Sequence, residues 1–222
     1  MGSAEKTELC RFAGKMKLYD LSPEISESMA VYKNKKWKKP KITVTRTLKQ
    51  GANESKLEIE SHTGSHVDAP YHFLQSGKTI EKIPLDKFMG KAIVLDFTKV
   101  KNAITEKHLK KSKIKIQKDD IVLLKTKDKP EKKFDFNFTY LEKTGAEYLV
   151  SKKIKAVGID SLGIERNQPN HETHKILLSR GIIIFEGLDL SKVKQGRYFF
   201  HGLPLKIKNG DASPVRAVLV KD

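Results

Sequence analysis

A chain of 222 residues can bury one sizeable core, and 38% apolar with 32% charged residues is the composition of a globular domain with a heavily charged exterior. The formal charge of +17 raises a nucleic-acid partner, but the excess is lysine interleaved with acids along the whole chain, not an arginine-and-aromatic patch, so no nucleic acid is expected. No apolar run approaches the roughly 18 residues of a membrane span, and the single Cys10 permits no internal disulfide.

Residues 1–15 lack the apolar core of a secretory signal and read as a flexible or non-native leader, which leaves 16–222 as one domain in the cytoplasm, without a membrane partner. Residues 16–25 predict a short strand ending in a Ser-Pro turn. Residues 26–40 form a lysine-rich connection in which Tyr32 and Trp37 read as surface fillers, with a substrate entrance as the alternative. Residues 42–48 alternate apolar and polar side chains like a half-buried strand, and 57–61 repeat the pattern before running into a cluster of histidines.

Beyond that cluster, 83–88 is a turn, while 91–97 and 119–126 are buried strands. Helices are expected over 105–112, 144–152 and 171–179, the last stopped by Gly181. Strands over 156–160, 182–185, 203–207 and 215–220 complete the chain, and the third-from-last delivers Glu186 at its end. With no linker and no internal repeat, the expectation is a single α/β domain with a mixed or barrel-like sheet and peripheral helices.

Three of the seven histidines and an aspartate fall between His62 and His72. His62 and His66 have helical spacing, but Thr63, Gly64 and Ser65 between them and Pro70 beyond argue against a helix. On an extended strand, residues four apart are about 13 Å apart and would struggle to share an ion. A bend at Gly64 removes the difficulty, and Asp68 then follows His66 on the same side of a strand. His62, His66 and Asp68 therefore read as a metal set, and His72 as a general acid/base. His174, on a helix, and Glu186 are a plausible distant pair, with His171 and Glu172 competing for those roles. His108 reads as solvated, and His201 as a core or loop residue.

His62-x-Gly64-Ser65-His66-x-Asp68-x-Pro70-x-His72 resembles the HxGTHxDxPxH signature of the metal-dependent cyclase/hydrolase family, which includes bacterial kynurenine formamidase and isatin hydrolase. Ser65 replaces the usual Thr and keeps the hydroxyl. Tyr19–Ser22, Gly158–Ser161, the His174 and Glu186 segments, and Gly210–Ala217 resemble further stretches of the family. The resemblance implies a swivelling β/β/α fold. It also implies one or two divalent cations per chain, zinc first and manganese second: one on His62, His66 and Asp68, a second completed by His174 and Glu186. His72 would be the catalytic histidine. The implied activity is hydrolysis of a small amide, N-formylkynurenine first and an isatin-like lactam or other cyclic amide or ester second, in a homodimer or tetramer. A basic nucleic-acid-binding module is the alternative from a different class; it would explain the charge but not the histidines.

Overall fold

The computed structural model describes residues 16–127, 133–166 and 168–221; the leader and Cys10 lie outside them. In chain order the first strands are β1 (Lys17–Asp20), β2 (Lys41–Arg46), β3 (Glu54–Glu58), β4 (His66–Asp68) and β5 (Met89–Asp96). Next come β6 (Ala103–Ile104), helix α1 (Glu106–Lys110), β7 (Ile121–Lys125), β8 (Tyr140–Leu141) and helix α2 (Lys143–Ser151). The chain finishes with β9 (Ala156–Ile159), helix α3 (Glu172–Leu178), β10 (Ile183–Glu186), β11 (Gly196–His201), β12 (Ala212–Pro214) and β13 (Val218–Lys221).

Nine strands make one mixed, open, curled sheet in the order β1-β13-β11-β5-β7-β9-β10-β4-β12. Its centre, β5-β7-β9-β10, is parallel, and both flanks are antiparallel. The central strands are the uninterrupted apolar runs of the sequence because both of their faces are covered. Ile93, Leu95, Val122 and Leu124 pack with Leu109, Leu149 and Leu177 beneath the three helices. Their alternates Ala92, Val94, Ile121 and Leu123 face a second core of Phe88, Phe185, Phe200 and loop residues such as Leu21 and Leu190. No helix among the described residues is long and apolar enough to cross a membrane.

Several expectations shift. Residues 203–207 form no strand: Pro204 makes one isolated bridge to Val215, and the rest of the segment runs as a loop with Leu203 and Leu205 exposed. Proline has no N–H to extend a ladder, so the alternation alone does not create a strand there. The strand falls earlier, at β11, where Tyr198 and Phe200 point inward while Arg197 and Phe199 point out. The β2–β3 hairpin forms, but its side chains are exposed on both faces, Ile42, Val44 and Leu57 among them, rather than half-buried. Glu142, not Thr144, caps α2, its side chain accepting from the Thr144 amide. His108 caps the start of α1 by accepting from the Thr105 amide, so it is engaged rather than free in solvent, and His201 lies on β11.

Candidate metal centre

The cluster is built where β4 meets β10. These strands run antiparallel, with Glu186 directly opposite His66 and Ile184 opposite Asp68. His66 and Asp68, two apart on β4, project to one face as strand geometry requires. Before β4 the chain turns at Gly64, whose φ of 65° is left-handed, and this brings His62 back beside the strand. Gly187, also left-handed, follows Glu186, and a Cβ there would meet the Gly64 carbonyl oxygen at 2.4 Å. Two glycines thus allow the turn and the end of β10 to touch. Ser65 reinforces that contact: its buried hydroxyl donates to the Gly187 carbonyl at 2.9 Å, so a Ser in place of Thr still does the work. Pro70 opens the short 3-10 turn that carries His72. His174 enters from α3.

All six expected residues converge. His66 Nε2 lies 3.5 Å from Asp68 Oδ1 and 3.5 Å from Glu186 Oε2. His174 Nε2 lies 3.3 Å from Glu186 Oε1 and 3.7 Å from Asp68 Oδ2. His62 Nδ1 is 3.0 Å from Asp68 Oδ1, and the His72 ring lies 4.2 Å from the His62 ring. Glu172 is not part of the cluster; it pairs with Lys143 on the surface. His171 stacks on Phe73 at 4.7 Å and lies in a grouping with Glu165 and His174, all three lining one cavity.

The donor set fits a divalent cation. Two imidazole nitrogens and four carboxylate oxygens are linked by contacts of 3.3–3.7 Å, close to the separation of about 3.4 Å between two ligand atoms of an ion with tetrahedral bonds of about 2.1 Å. His66 Nε2 and both Asp68 oxygens are buried, yet none has a well-aligned hydrogen-bond partner. Buried polar atoms seldom go unsatisfied, and here three of them lie in one cluster. His66 Nδ1 donates to the Gly64 carbonyl at 3.0 Å, which leaves Nε2 as the free lone pair.

Electrostatics point the same way. Burial works against the charge on His62, but its contacts with Asp211 and Asp68 outweigh it and lift the imidazole to about 10. Burial likewise opposes charge on His174, and Asp68, Glu165 and Glu186 raise it nonetheless. Burial and the Asp68 charge push Glu186 up, while His174 and His66 bring it down to about 2. Asp68 is held well below the usual carboxylate range, its burial overcome by His174 and His62. His72 differs: burial dominates and, with the His62 and His174 charges, holds it below its ordinary value.

Two carboxylates escape the sequence reading. Asp211, in the loop before β12, lies 3.0 Å from His62 Nε2 and 3.6 Å from His72 Nδ1; only its place in a family-like stretch marked it. Glu165 contacts His174 Nδ1 from an irregular loop that carries no periodic signal. The cluster floors a cavity of about 310 Å³, within the range of small-molecule sites. Phe73, Leu162 and Gly163 line it, together with Ala30, Val31, Tyr32, Lys35, Lys38 and Glu60. Tyr32 is therefore a cavity residue, whereas Trp37 is exposed.

Residues 19–166 match the family model described as a putative cyclase. The chain belongs to the cyclase family. Among its relatives is the kynurenine formamidase of Salinibacter ruber, 32% identical across 92% of this chain and 97% of that protein. A structure described as a predicted metal-dependent hydrolase from Bacillus stearothermophilus superposes with a TM-score of 0.83 at 44% identity, covering 93% of this chain and 99% of the other. An isatin hydrolase bound to the product analogue thioisatinate shares the fold, with a TM-score of 0.84 at 19% identity over 99% of both chains.

Proposed function

We propose that this protein hydrolyses the formamide of N-formylkynurenine, yielding kynurenine and formate. The broader activity is that of a metal-dependent hydrolase acting on a non-peptide C–N bond, as the relatives' described activities indicate. The observation that carries the reading is the run of 3.3–3.7 Å contacts that links His66, Asp68, His174 and Glu186 beside a cavity sized for a small molecule.

His66, Asp68, His174 and Glu186 would hold the cation, with His62 as a fifth ligand or as a bridge between Asp68 and Asp211. Two histidines with two carboxylates suit zinc first and manganese second. A second ion is supported by the two groupings that share Asp68, one of His62, His66 and Asp68 and the other of Asp68, His174 and Glu186. Such an ion supplies Lewis acidity toward a carbonyl and acidifies water.

The chain's own residues do the remainder. Phe73 offers an aromatic wall beside His72 and His174, at ring separations of 4.3 and 4.4 Å, against which an aryl group can stack. His72, held largely neutral near pH 7, is free to accept a proton from the attacking water. Water adds across the C–N bond: its oxygen ends on the formyl carbon, and the proton taken by His72 goes to the departing aniline nitrogen. Asp211, beside His72 Nδ1, orients the ring.

The partner is a small molecule, and a second copy of the chain is the macromolecular partner that this reading adds. Ile42, Val44 and Leu57 share one face of the β2–β3 hairpin and are exposed, and so are Leu18 and Phe199 on the sheet, which supports a homo-oligomer. A cytoplasmic location accords with the lone cysteine.

The deciding experiment reconstitutes metal-stripped protein with zinc or manganese. It then assays N-formylkynurenine, isatin and a panel of lactams by product formation. Turnover of N-formylkynurenine well above that of the cyclic amides is expected; turnover of isatin alone would replace the assignment with lactam opening.

A further inference from the structure

His174 is held from behind by a side chain that the proposed reaction does not use. Glu165 lies in the irregular segment 161–166 after β9 and is only 4% exposed. Its Oε2 contacts His174 Nδ1 and accepts from the His174 backbone amide at 3.0 Å. His174 is the third residue of α3, so that amide is one of the donors a helix's first turn leaves unpaired. His171, at the start of the helix, is left-handed and supplies no side-chain cap. One carboxylate oxygen therefore closes the helix end and fixes the imidazole that the helix carries.

The same loop reaches a second candidate ligand. The amide of Ile164 donates to Glu186 Oε1 at 2.5 Å. Adjacent residues thus grip Glu186 and His174, which come from a strand and a helix.

A neutral imidazole has one N–H and one lone pair, and only the lone pair binds a cation. A buried carboxylate against Nδ1 keeps the proton on that nitrogen. Nε2 then turns its lone pair toward Glu186 Oε1 at 3.3 Å and Asp68 Oδ2 at 3.7 Å. Glu165 itself sits on the far side of the ring from those oxygens. Resting on the reading that His174 holds a cation, we propose that Glu165 is a positioning residue of the metal centre, fixing His174 as the Nδ1–H tautomer with Nε2 aimed at Asp68 and Glu186.

The test titrates zinc into metal-stripped full-length Glu165→Ala and Glu165→Gln against a chromophoric chelator, with circular dichroism as the check on folding. Expected is a 10- to 100-fold weaker zinc affinity in Glu165→Ala. Glu165→Gln, whose amide oxygen still accepts from Nδ1, should recover most of that loss at unchanged stoichiometry. In the zinc-loaded wild type, ¹⁵N chemical shifts of His174 should show a protonated Nδ1 and a coordinated Nε2. Wild-type affinity in both variants overturns the proposal, as does a fall in stoichiometry in Glu165→Gln, which would make Glu165 a ligand. Should Glu165→Ala fail to fold, Glu165→Gln and the ¹⁵N shifts still decide the matter. His174→Ala serves as control: if it keeps full zinc affinity, the assignment of His174 fails rather than the role of Glu165.

Discussion

His66 and Glu186, 120 positions apart in the chain, are direct cross-strand partners, and their side chains reach to 3.5 Å of each other. The β4–β10 pairing on the flank of the sheet and the candidate metal centre are thus one structural element. Asp68, two residues along β4, is the carboxylate that three imidazoles share.

That sharing makes Asp68 and Glu186 the residues whose loss removes the metal. Asp68→Asn and Glu186→Gln should each weaken zinc or manganese binding by roughly 100-fold or more, because ligand deprotonation drives the affinity. Elemental analysis after dialysis is the readout. Wild-type metal content in either variant would refute the ligand assignment.

His72→Ala should behave differently. Removing a general acid/base costs roughly 10²- to 10⁴-fold in kcat, while metal content should stay at the wild-type level. Metal loss equal to that of the Asp68 variant would make His72 a ligand.

Gly187→Ala tests the contact beneath the site. A Cβ at this left-handed position would press on the Gly64 carbonyl oxygen at 2.4 Å. Strain and clash together should cost about 3 kcal/mol. Urea unfolding measures it, and a change under about 1 kcal/mol would show that the two loops part freely.

Asp160 gives the pH dependence of stability. Burial raises its carboxyl to about 6, although Thr126 and Lys127 donate hydrogen bonds to it. Its folded-state value lies above the ordinary aspartate value of 3.8, so ionisation opposes folding. The penalty is absent below the unfolded value, grows as pH rises and is complete above about 6. Asp160→Asn should therefore gain stability relative to wild type between pH 4 and pH 6.5, by up to about 2–3 kcal/mol, with no further gain above. A wild-type-to-variant difference that is flat with pH would contradict this.

Much of the site could be read from residue spacing because its constraints are local. Gly64 had to bend for His62 to reach His66, and Asp68 had to follow at strand spacing. Glu186 ends an apolar strand, and periodicity locates such strands. Glu165 and Asp211 were invisible to that method, since both sit in irregular loops and matter only through contacts set by tertiary folding. The 203–207 stretch misled for the converse reason: its alternation is strand-like, but its proline and its position outside the ladder leave it unpaired. The hairpin's first strand matched its alternation, but the second forms over Glu54–Glu58 rather than 57–61, and both are exposed where half-burial was expected.

The lining of the cavity comes from different parts of the chain. The grouped histidines and carboxylates lie between residues 62 and 211, whereas the connection from Ala30 to Lys38 lines the cavity without contributing one of them. That connection can therefore vary, and with it the shape offered to an organic substrate, while the residues proposed to hold an ion and His72 stay as they are. A protein engineer has the same freedom: a library confined to residues 30–38 would vary selectivity while inheriting the chemistry intact.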